Sequence, residues 1–147
     1  MKMTGDLRVR TDKKYKDLYN DLKGLAFTEF HEIFFLCVCL GFKQHQRKDL
    51  GKTGDERFFS RTITPQEYST YYALVMSENN MDFASIANDA DVIRIMEEYA
   101  NGGMDILIND FLNDYLREGL RIDRSSAKEL PKEILHFIDE KIQSNRK

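Results

Sequence analysis

Eight consecutive apolar residues, Ile33-Phe34-Phe35-Leu36-Cys37-Val38-Cys39-Leu40, constrain this chain more than any other feature. They lie inside a longer helical pattern that starts near Thr28, whose hydroxyl suits an N-cap, and stops at Gly41. The face built from Phe30, Ile33, Phe34, Cys37 and Val38 is apolar, and most other sides are apolar too. A helix of that kind must be covered on several sides, so it is expected to form the centre of the fold. Eight residues fall far short of the ~20 needed to span a bilayer. With 41% hydrophobic and 32% charged residues, the chain is too apolar for disorder and too polar for a membrane protein. Its 147 residues point to a single domain, without need of a metal or disulfide.

The remaining periodicity is mainly helical. Tyr15, Leu18, Tyr19 and Leu22 form one helix face, with Asp12 as its cap and Gly24 as its end. Thr64-Pro65-Gln66-Glu67 reads as a capping box opening a helix through Tyr68, Tyr71, Tyr72, Leu74 and Val75. A fourth helix, capped by Asp89 or Asp91, carries Val92, Ile95, Met96 and Tyr99. Asn101-Gly102-Gly103 is expected to break it, with Gly102 at positive φ, before a further stripe from Met104 to Leu116. Residues 121–129 read as a polar linker to a last helix with Ile134, Leu135, Ile138 and Ile142. Residues 1–10 suit a loose arm or a short strand, and Arg57 to Ile63 admits a short β element. The expected fold is therefore mainly α, a single compact multi-helix domain over residues 1–147.

Charge is distributed unevenly around the net value of −3. Lys43, Arg47, Lys48, Lys52, Arg57 and Arg61 make residues 42–61 locally basic, with His45 among them and Phe42, Phe58 and Phe59 interleaved. Such a loop can contact phosphates or be an ordinary exposed loop. Between Asp89 and Glu118, eight carboxylates face only Arg94 and Arg117, which suggests a solvated acidic face. Two opposed patches also make head-to-tail self-association or docking to a larger partner physically sensible.

Motifs for chemistry are missing. There is no G-x-G-x-x-G, and Gly51-Lys52-Thr53 lacks the earlier glycine of a phosphate loop, Gln46 standing in its place. His31 suits a structural role, and His136 with Glu140 is too small a set for a metal site. Cys37 and Cys39 point about 200° apart on a helix and suit buried hydrophobes. No cofactor, metal or catalytic residue is expected, and the start of the chain does not read as a signal peptide, which together suggest a cytoplasmic setting.

Two segments resemble a known family. Phe27 to Phe42 resembles an apolar helix closing on Leu-Gly-aromatic before a basic loop. Ile93 to Leu107 contains Glu98-Tyr99-Ala100-Asn101-Gly102-Gly103, which is similar to the family's hallmark. The family is that of small accessory proteins encoded beside bacterial DNA phosphorothioation (Dnd) systems, and the resemblance covers residues 17–116. Cys37-Val38-Cys39 departs from it, small residues being expected there, and the C-terminal helix has no counterpart. The resemblance implies a role near DNA modification or anti-phage defence and brings no catalytic residues. The expected function is a non-catalytic accessory or adaptor acting by contact with a larger protein of the same system. The alternative is a small DNA-binding module using loop 43–61.

Overall fold

The computed structural model describes residues 6–50 and 54–143. The apolar run lies within α2 Phe30–Lys43, and the other four α-helices among the described residues are α1 Lys16–Leu25, α3 Pro65–Glu78, α4 Asp89–Asp110 and α5 Leu130–Gln143. Two small antiparallel ribbons complete the fold among the described residues, β1 Arg8–Asp12 with β2 Gly54–Phe59, and β3 Leu116–Arg117 with β4 Arg121–Ile122. The expected mainly α class is the observed one. Residues 8–10 are strand rather than arm, while residues 1–5, Lys52 and the tail 144–147 lie outside the described residues.

α2 is central, as its all-round apolarity requires. Ile33, Phe34, Cys37 and Val38 are fully buried. Phe34 meets Phe58 of β2 and Tyr71 of α3 edge-on, with ring centroids 5.3 and 6.1 Å apart. Leu18, Tyr19 and Leu22 of α1, and Leu130, Ile134 and Phe137 of α5, belong to the same buried cluster. The helix begins one residue later than Thr28 suggests, with Glu29 as N-cap. The Glu32 carboxylate accepts the backbone N–H groups of Glu29 and Thr28 at 2.8 and 3.1 Å. It also runs past Gly41 to Lys43. Gly41 is not the residue that terminates the helix: His45 takes the left-handed position at φ 55°, and the Gln46 N–H bonds back to the Gly41 carbonyl at 2.8 Å, while the missing side chain of Gly41 makes room for α4.

That role explains the largest difference from the sequence reading. Asn101-Gly102-Gly103 does not break a helix: α4 runs unbroken through all three, capped by Asn88 rather than by Asp89 or Asp91. Among the described residues, the glycines at positive φ are Gly24 and Gly119, so Gly102 is not one of them. A methyl group at Gly103 would lie 1.6 Å from the Cys37 carbonyl oxygen, and one at Gly102 would lie 2.1 Å from that of Gln46. One at Gly41 would lie 2.2 Å from the Tyr99 carbonyl oxygen. Three glycines thus let two backbones touch, and the need is lateral space rather than a left-handed turn.

Other local signals hold. Gly24 ends the regular part of α1 at φ 100°, and the Thr64–Glu67 capping box forms, with Glu67 N–H to Thr64 Oγ1 at 3.3 Å and Thr64 N–H to Glu67 at 2.9 Å. The 121–129 linker is more structured than expected. Ile122 and Ala127 are buried, and Asp21 of α1 accepts the Ile122 N–H and Arg121 Nε, both at 3.0 Å. The stripe from Met104 to Leu116 is not a separate helix. Its first half finishes α4, and a 3-10 turn at Leu112–Tyr115 leads into β3.

Substitution at Gly102 separates the two explanations of the glycine pair. Lateral crowding predicts that Gly102→Ala lowers stability by about 1–3 kcal/mol and that Gly102→Asn, being larger, costs more. A left-handed turn predicts the reverse order, because Asn tolerates positive φ better than Ala. Thermal melts of the two variants decide it.

Candidate functional site

The segment Glu98 to Gly103 is the part of α4 that receives the end of α2, the chain after it, and β1. Each residue has a task there. Glu98 accepts Arg47 Nη2 at 2.6 Å and Nε at 3.0 Å, and its carbonyl accepts the Lys48 N–H at 3.0 Å. The Tyr99 ring lies edge-on to Phe42, with the Arg47 guanidinium 5.3 Å from its centroid. Ala100 is fully buried, and Gly102 and Gly103 admit the backbones of Gln46 and Cys37. Asn101, 1% exposed, accepts the Asp12 N–H at 3.1 Å and donates to the Lys48 carbonyl at 3.4 Å.

Asn101 and Glu97 sit one turn apart and together finish the open edge of β1. Glu97 accepts the Arg10 N–H at 2.7 Å, as Asn101 accepts that of Asp12. Strand residues two apart point their amides the same way, so two side chains at helical i, i+4 spacing can satisfy both. An edge that would otherwise invite another strand is thereby closed.

The basic loop and the acidic helix are not opposed patches. They meet at two ion pairs, Arg47 with Glu98 and Lys48 with Asp105. Arg47 meets Glu98 and, at 3.7 Å, Glu78; Lys48 meets Asp105, which also accepts the Tyr15 hydroxyl. Burial works to raise the Asp105 carboxyl, but the Lys48 and Tyr15 hydrogen bonds outweigh it and hold it below the ordinary value. Lys43 Nζ donates to the Lys141 carbonyl. The Arg57 side chain, 4% exposed, bonds Thr11 Oγ1, the Asp12 carbonyl and Asp55 beneath the ribbon. Arg61 lies over Phe59, 4.3 Å from the ring centre, and is exposed, as is His45 at φ 55°. The acidic face is likewise not simply solvated. Asp110 pairs with Lys141 at 2.7 Å, Asp89 accepts the Tyr72 hydroxyl at 2.8 Å, and Glu97 is buried.

His31 and the two cysteines are structural in geometry, while His45 and His136 are exposed. His31 Nδ1 lies 3.0 Å from the Glu67 carboxylate, tying the start of α2 to the start of α3. Cys37 is buried, and both thiols are free. Burial pushes the Cys39 thiol up to about 11, and Cys37 higher still, so neither is a ready nucleophile. Among the described residues no three His, Cys, Asp or Glu side chains gather as metal ligands, and no helix is long and apolar enough to cross a membrane.

A family model described as DNA sulphur modification system-associated protein 4 matches residues 8–133, from the first residue of β1 into α5. The chain belongs to that family. No curated protein and no solved structure matches it. The family description makes it an accessory protein of a DNA sulphur modification system.

Sequence reasoning missed a cavity of about 370 Å³ between α2 and α5. Phe27, Phe35, Leu36, Cys39, Ile138 and Ile142 supply its apolar wall, with Glu32 near one end of α2 and Lys43 and Lys141 at the other. The signal was present in two places. α2 has more apolar sides than its neighbours cover, and Leu135, Ile138 and Ile142 form a second stripe on α5 beside the buried one. Leu135 and Ile142 are exposed.

Glu97 makes the site pH-dependent. Burial pushes its carboxyl up to about 7 from an ordinary 4.5, against the stabilising Arg10 N–H. The folded state therefore holds the proton more tightly than the unfolded one between those values. Stability falls as pH rises through that window and is level above it. Glu97→Gln keeps an oxygen for Arg10 and removes the charge. Its melting temperature should match wild type near pH 4.5 and exceed it at pH 8 by roughly 5–10 °C, reflecting on the order of 3 kcal/mol. Parallel melts across this range check it; a constant offset would contradict it.

Proposed function

We propose that the protein is a non-catalytic accessory subunit that works by protein contact, holding a larger component of its DNA sulphur modification system. The observation carrying this reading is the apolar groove between α2 and α5, continued by exposed Leu135 and Ile142. Exposed large apolar side chains beside a concave apolar wall are the usual marks of a contact site. The groove suits an amphipathic helix of the partner. Its end charges differ in sign, Glu32 at the start of α2 and Lys43 eleven residues later, a separation of roughly 16 Å or three turns. A three-turn partner helix with a basic residue toward Glu32 and an acidic one toward Lys43 would match both ends.

The DNA-binding alternative built on loop 43–61 has less support. Arg47, Lys48 and Arg57 are engaged within the chain, and Lys43 is turned to the end of α5. In an anti-phage or DNA-modification setting, the adaptor role needs no chemistry from this chain.

Leu135→Asp combined with Ile142→Asp tests the reading. The purified protein should retain a named component of the same system in a pull-down. The double variant should lose that capture with its melting temperature unchanged, since both side chains are exposed. Undiminished capture by the variant, or failure of wild type to retain any component, would overturn the proposal.

A further inference from the structure

Among the described residues, β1 and the turn after it hold a dense run of exposed cations. Residues 8–16 carry Arg8, Arg10, Lys13, Lys14 and Lys16 against Asp12, and the facing strand β2 adds Asp55 and Glu56 with Arg57, in a chain of net charge −3. The five cations of residues 8–16 are exposed. Arg8 has Glu56 beside it at 2.6 Å, while Arg10, Lys13 and Lys16 have no carboxylate within ion-pair distance among the described residues.

The ribbon presents part of this charge as one surface. Val9 and Thr11 are buried, so the alternation of a strand turns Arg8 and Arg10 outward together. Phe59 of β2 pairs with Arg8 in register. Its ring lies against two guanidiniums, Arg8 at 5.7 Å and Arg61 at 4.3 Å from the centroid. The surface is also stiff. Glu97 and Asn101 satisfy the outer edge of β1, and the buried Arg57 braces the ribbon from beneath. Ordering it on a ligand therefore costs little conformational entropy.

We propose that the outward face of the β1–β2 ribbon, with the turn that follows β1, binds the phosphate backbone of duplex DNA through Arg8, Arg10, Lys13, Lys16 and Arg61. A two-stranded ribbon is one of the two elements that the DNA major groove admits, and flanking cations can then reach the phosphates. An anionic membrane is a poorer match. Among the described residues, the exposed large apolar side chains Met81, Phe83, Leu135 and Ile142 lie on other elements than the ribbon. Single strands are a poorer match too, because stacking needs an open aromatic face and Phe59 already lies against two arginines. This surface is separate from the α2–α5 groove, so a DNA contact on the ribbon and a protein contact on the groove can coexist.

Fluorescence anisotropy with a short labelled duplex, using the full chain alone, tests the proposal without any partner. Binding should weaken with salt at a log–log slope of about −4 to −5, as five phosphate contacts imply. Arg10→Ala with Lys13→Ala should weaken binding at least tenfold and reduce the slope by about 2. Lys128→Ala with Lys132→Ala, on and before α5, should change neither. Circular dichroism of both pairs should match wild type. No retention of duplex in about 50 mM salt, equal weakening by the two pairs, or tighter binding of the same sequence as a single strand would each overturn the proposal.

Discussion

Everything else in this fold depends on the approach of α2 and α4 to backbone contact. Helices with ordinary side chains between them sit about 8–10 Å apart. Here Gly41, Gly102 and Gly103 remove the side chains at the crossing, leaving carbonyl oxygens where a Cβ would be. The approach lets the chain after α2 fold back over α4, where Gln46 and Lys48 meet Gly102, Glu98 and Asn101. β1 then lies along the same helix, held through Glu97 and Asn101. A single tight crossing thus positions both the long connection after α2 and the ribbon.

That arrangement changes the meaning of the charge pattern. In the sequence, the basic stretch and the acidic stretch are separated by tens of residues and look available for partners. Folding places Arg47 on Glu98 and Lys48 on Asp105, so their charges are spent largely on one another. Individually, such half-exposed pairs contribute little stability, about 0.2–1 kcal/mol each. Their effect is to fix the path of residues 44–50 across α4. The outward face of the ribbon and the α2–α5 groove are surfaces that this pairing does not reach.

Much of the fold was legible because its signals are local. The all-round apolarity of α2 announces a central helix, and Thr64-Pro65-Gln66-Glu67 announces the start of α3, because each depends on neighbours within a turn. The glycine pair Gly102-Gly103 was legible as a feature, but its mechanism differs from the one the sequence suggests. Two adjacent glycines commonly end a helix, and only the arrival of Cys37 and Gln46 from elsewhere reveals that they make space instead. Asn88 outcompeted Asp89 and Asp91 as the cap of α4, a choice among neighbouring good caps that propensity does not resolve. The closed edge of β1, the buried Glu97 and the pairing of Arg47 with Glu98 were not legible. Each joins segments about 50 to 90 residues apart, and no local pattern encodes such a meeting. The ordered stretch after β3 was missed for the same reason, since Asp21 organises it from α1.

Residue-resolved hydrogen exchange along α4 tests the central claim most directly. If α4 is one helix pressed against α2, the amides from Tyr99 to Leu107 should be protected as a single unit, with Gly102 and Gly103 among the slowest in the chain. Fast exchange confined to Asn101 through Met104, between two protected segments, would show a broken helix and contradict the account.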